Sequence, residues 1–148
     1  MITANKVLPI VASLGLFLIP TTAEANVYLD GDDKWLSDFG PMQFVAIEEL
    51  NEFDRTQVLN NGRITHVAVY PDYRGSMMSG IMDGNVLNGY WYQTQPLAVK
   101  CKKSFYGTHY WGKYRFKFTS NSKFTGLWNY CDKPVSSRWN GRKSSQKW

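Results

Sequence analysis

YRGSMMSGIMDGNVLNGYWYQ, Tyr73 to Gln93, and YWGKYRFKFTSNSKFTGLWNY, Tyr110 to Tyr130, read as one hairpin written twice. A shift of 37 residues lays Gly75 on Gly112, Leu87 on Phe124, Gly89 on Gly126 and Trp91 on Trp128. It also lays the turn Asp83-Gly84-Asn85 on Ser120-Asn121-Ser122. Self-similarity at a fixed period marks a repeated supersecondary unit. In the second copy Tyr114, Phe116 and Phe118 alternate with Lys113, Arg115 and Lys117. Period-2 alternation is the signature of a half-buried strand. A loop at Ser120 to Ser122 pairs Phe118 with Phe124, Phe116 with Gly126 and Tyr114 with Trp128, so the large rings share one face. Gly126 then leaves room for the Phe116 ring to cross its strand, a common use of glycine in a sheet. The same scheme in the first copy pairs Ile81 with Leu87, Ser79 with Gly89 and Met77 with Trp91.

Leu87-x-Gly89-x-Trp91 and Phe124-x-Gly126-x-Trp128 resemble the core of MORN repeats, which are short β-hairpin units. The hairpins are also similar to the glycine-aromatic hairpins of avidin-like barrels. Both resemblances imply a hairpin array and carry no activity with them.

Working outward, Met1–Ala25 has the layout of a secretory signal: Lys6, the apolar run Val7–Ile19, Pro20 and the Ala23-Glu24-Ala25 cleavage pattern. The run is shorter than the ~20 residues of a membrane-spanning helix. The expected organisation is therefore a signal over 1–25, a single β domain over 26–141 and a basic tail, expected to fray, over 142–148. The chain would be exported, to the periplasm or beyond the cell, with no membrane span after cleavage. The expected fold is all-β: an antiparallel meander of about eight to ten strands, closed into a barrel or curled. A short helix fits only Glu48–Gln57. Strands are expected at Met42–Ile47, at Thr56–Leu59 and Arg63–Tyr70 around the turn Asn60-Asn61-Gly62, and at Leu97–Tyr106, with Trp139-Asn140-Gly141-Arg142 as a degenerate closing strand. Pro71-Asp72 reads as a turn. An outer-membrane barrel is excluded by the lysines and arginines on the face that lipid would touch.

Cys101 and Cys131 are the only cysteines. An even count in an exported chain predicts one disulfide. Two cysteines and two distant histidines lack the spacing of a metal site, and no cofactor motif is present.

The chemistry-bearing residues are few. His66 falls inside a strand and reads as a structural residue. His109 lies in an aromatic loop and is the one candidate base. Glu48, Glu49, Glu52 and Asp54 read as a solvated face. Charge is uneven: Asn26–Val99 carries 4 basic and 10 acidic residues, Lys100–Trp148 carries 12 basic and 1 acidic. Such asymmetry suggests either a basic surface patch or two halves that pair and neutralise each other. Aromatic residues are in surplus, and Tyr90, Tyr92, Tyr106, Tyr110 and Trp139 are expected to be exposed. The composite candidate surface is Tyr110 and Trp111 with Lys113, Arg115, Lys117 and Lys123. It suits an anionic glycan or another envelope polymer. The expectation is a non-enzymatic binding domain. A small secreted hydrolase working through His109, and a structural or interaction protein such as an inhibitor of a secreted enzyme, are the alternatives.

Overall fold

A computed structural model describes residues 27–52, 64–70 and 77–148. The signal expected over 1–25, the strand at Thr56–Leu59 with its Asn60-Asn61-Gly62 turn, the Pro71-Asp72 turn and the start of the first repeat lie outside the described residues.

Nine strands follow one another: β1 (Asp33–Ser37), β2 (Gly40–Ala46), β3 (His66–Val69), β4 (Met77–Asp83), β5 (Val86–Gln93), β6 (Tyr110–Ser120), β7 (Lys123–Tyr130), β8 (Ser137–Arg138) and β9 (Gly141–Lys147). Strands β1 to β7 form an antiparallel meander. Strand β9 inserts between β7 and β1, which closes an eight-stranded barrel, and the short β8 continues along the free edge of β7. Of the helix expected at Glu48–Gln57, the described part holds a 3-10 turn, Ile47–Glu49, and Glu52 is helical; the remainder from residue 53 is not among the described residues.

Eight strands enclose a space that side chains can fill. Trp35, Phe44, Phe116, Phe118 and Phe124 fill it, none more than 2 % exposed. They meet mostly edge to face: Trp35 with Phe44 at 5.4 Å, Trp35 with Phe118 at 5.5 Å and Phe44 with Phe118 at 5.6 Å between centroids. This is the geometry that the ring quadrupoles favour.

The second hairpin has the expected register, with Phe118 opposite Phe124, Phe116 opposite Gly126 and Tyr114 opposite Trp128. The first does not. Ile81 pairs with Asn88, Ser79 with Tyr90 and Met77 with Tyr92, while Met78 faces Trp91, Gly80 faces Gly89 and Met82 faces Leu87. A slip of one residue swaps every side chain to the other face. Met78 is therefore in the core and Ile81 is 42 % exposed. The cause lies at the turns. Asp83 pairs with Val86, so the first loop holds only Gly84 and Asn85, with Gly84 at φ 58°. Glycine at the first central position suits a two-residue hairpin turn. In the second hairpin an irregularity between Phe118 and Ser120 absorbs Thr119 as an extra residue, as a β-bulge does.

Two further expectations are corrected. Leu97–Tyr106 is not a strand. The chain there runs through a bend to a tight turn, Phe105–Thr108, whose central residues Tyr106 and Gly107 have φ 49° and 75°. Positive φ at both central positions reverses the chain in two residues. The backbone N–H of Cys101 donates to the His109 carbonyl at 2.8 Å, so the whole segment folds back across the outside of β5 and β6. The basic tail 142–148 does not fray: 141–147 is β9, the closing strand. It lacks apolar alternation because ion pairs help to hold it. Lys143 pairs with Asp33, and Lys147 with Asp33 at 2.8 Å and Asp30 at 3.1 Å. Burial alone would raise the Asp33 carboxyl, but hydrogen bonds from these two lysines bring it below the usual carboxylate range. The acidic and basic halves of the chain thus meet and neutralise along the β1–β9 seam.

Candidate functional site

The predicted contact surface divides into a covered part and an open part. Tyr110 begins β6 and is half-buried, its N–H donating to the Thr108 hydroxyl at 3.0 Å. Trp111 points outward from the barrel yet is only 4 % exposed. The 98–109 segment covers it: Phe105 lies 5.3 Å from its ring, and its indole N–H donates to the Lys103 carbonyl at 2.8 Å. The same segment stacks Tyr106 on Tyr92 at 4.4 Å and sets Phe105 against Tyr90 at 4.4 Å. Tyr90, Tyr92, Tyr106 and Tyr110, expected to be exposed, are half-buried for this reason. Trp139, also expected outside, is 5 % exposed and stacks on Tyr70.

The disulfide Cys101–Cys131 anchors this segment to the end of β7. On the chain-entropy view a loop of its length contributes roughly 3–4 kcal/mol. Among the described residues no helix is long and apolar enough to cross a membrane.

His109 sits under this anchor. Its Nδ1 lies 2.9 Å from the Cys101 carbonyl, and it forms no ion pair with a carboxylate among the described residues. The ring is thereby oriented by backbone rather than by an acid. His66, on β3, bonds the Thr65 hydroxyl through Nδ1 at 2.9 Å. Burial lowers its pKa, against a smaller opposing pull from Glu48. Among the described residues no three histidine, cysteine, aspartate or glutamate side chains gather as a metal site.

The open part is the outer face of β6 and β7. Lys113 pairs with Asp132 at 3.4 Å. Arg115, Lys117 and Lys123 are exposed and form no ion pair among the described residues. Sequence reasoning missed a fifth cation on this face, Arg138. Leu127 lies between Arg115 across one edge of β7 and Arg138 across the other. Arg115, Lys117 and Arg138 therefore line one shallow groove with the exposed Leu127 at its centre. Strand β8 is two residues long and follows a proline, so its sequence carries no alternation to announce it.

A different feature occupies one rim of the barrel, where β1, β3, β5 and β7 all end. Phe39, Tyr70, Trp91, Trp128, Tyr130 and Trp139 wall a cavity of about 220 Å³ there. Only the Trp91 and Trp128 positions stood out in the repeat; the convergence of the six is a product of closure. No family model, curated protein or solved structure matches this chain.

Proposed function

We propose that this chain is an exported, non-enzymatic β domain that binds an anionic or carbohydrate polymer at the cell envelope through the outer face of β6, β7 and β8. One observation carries the reading. Arg115, Lys117 and Arg138, free of ion pairs among the described residues, line a single groove on a rigid sheet. Unpaired cations clustered on one face attract polyanions and hold them without a deep pocket. The exposed Leu127 between the two arginines supplies an apolar strip against which a sugar ring or an acyl portion can rest. Lys113 contributes less, because Asp132 already takes its charge. The leader-like sequence over 1–25 and the disulfide support export.

Retention on heparin–agarose under a salt gradient tests this. The triple variant Arg115→Ala, Lys117→Ala, Arg138→Ala should elute at clearly lower salt than the parent, since each contact is screened over about 10 Å at 0.1 M. Elution of both proteins at the same salt would discard the groove as the binding surface.

A further inference from the structure

We infer that the ring-walled cavity at the barrel rim is a second binding site, built for a small uncharged aromatic molecule of one or two fused rings. Its size sets the ligand. A dry apolar cavity of about 150 Å³ holds one benzene ring, so about 220 Å³ leaves room for a second. Its walls set the chemistry. Trp91 meets Trp128 at 74° and Tyr130 at 77°, and Phe39 meets Trp128 at 90°. Neighbouring rings at steep angles offer a guest both faces and edges, the two partners that an aromatic ring prefers.

Charge and polarity exclude the rivals. A quaternary ammonium group also favours a box of rings, but no acidic side chain among the described residues lines this cavity. The C-terminal third of the chain, which supplies three of its rings, carries a large positive excess. Burial raises the Tyr92 phenol, so that wall stays neutral as well. A sugar needs several hydrogen bonds around its hydroxyls; among the described lining residues Gln93 is the one amide, and the other polar atoms are the hydroxyls and indole N–H groups at the ring edges. One amide among ring faces suits the lone N–H or O–H of an indole or a phenol. The site is separate from the basic groove: among the described residues the two share none of their lining.

Isothermal titration calorimetry of the intact chain with indole, choline and methyl glucoside tests the inference. Indole should bind saturably with a negative heat-capacity change. Leu97→Trp, which fills the cavity from a loop, and Tyr130→Ala, which removes one wall, should each weaken indole at least tenfold with heparin elution unchanged. Absence of indole binding, or indole binding that both variants leave intact, overturns the site. Tighter binding of choline or of the glucoside overturns the ligand class.

Discussion

Gly126→Ala probes the packing on which the barrel depends. A Cβ at this position would lie 2.4 Å from Phe116 Cδ1 and 2.4 Å from the Trp139 carbonyl oxygen. Carbon contacts are comfortable only at about 3.5–4.0 Å, so both neighbours must retreat by more than an ångström. Neither moves freely. The Phe116 ring is fully buried and stacks on Phe124 at 4.3 Å. The Trp139 backbone is tied to this same residue, its N–H donating to the Gly126 carbonyl at 2.9 Å. Overpacking of this kind costs about 1–3 kcal/mol, and loss of the strand bond adds about 1 kcal/mol. The expected sum is ~2–4 kcal/mol. At ~4 °C per kcal/mol for a domain of this size, Tm should fall by ~8–16 °C. Chemical denaturation followed by tryptophan fluorescence gives the free energy, and a thermal scan gives Tm. Phe116→Leu in the same background should restore part of the loss, because the carbonyl contact persists. Gly107→Ala is the contrasting control: nothing lies within 4 Å of its Cβ, and its cost of about 1–2 kcal/mol comes from the φ of 75° alone. A Gly126→Ala protein within 0.5 kcal/mol of the parent would refute the ring-over-glycine packing.

Two other perturbations address the seam and the half-buried His66. Deleting 142–148 should abolish cooperative unfolding, since it opens the barrel between β1 and β7 and strips both lysines from Asp33; a truncated protein within 0.5 kcal/mol of the parent in urea would return this segment to a loose tail. His66 has a depressed pKa in the fold, so the unfolded chain binds its proton first as pH drops. Stability should hold above about pH 6.5 and decline from there towards the lower folded value. His66→Gln should flatten that slope in denaturation curves taken from pH 7.5 to 5, and an unchanged slope would assign the acid sensitivity to other groups.

How much of this was legible in the chain depends on the range of the interaction. Alternation along 110–130 identified β6 and β7, their register and the glycine under Phe116, because those contacts are set by a local turn and a period of two. The disulfide followed from counting two cysteines. The first hairpin was misaligned because turn residues announce a reversal and not the number of residues in its loop. Of the closing strand β9 only the start, Gly141 and Arg142, was legible as part of a degenerate strand, for a related reason. Its partners, Asp30 and Asp33, lie more than a hundred residues away, and a strand held by ladder bonds and ions carries no apolar signature.

The functional surface divides in the same way. Lys113, Arg115, Lys117 and Lys123 could be assigned to one outer face from the sequence by itself, since strand geometry alternates sides without reference to the rest of the fold. That Trp111 is covered, that Arg138 joins Arg115 beside Leu127, and that six rings from distant segments line one open cavity were settled only by closure of the barrel. Closure brings the ends of β1, β3, β5 and β7 to one rim, and no stretch of the chain encodes that meeting alone.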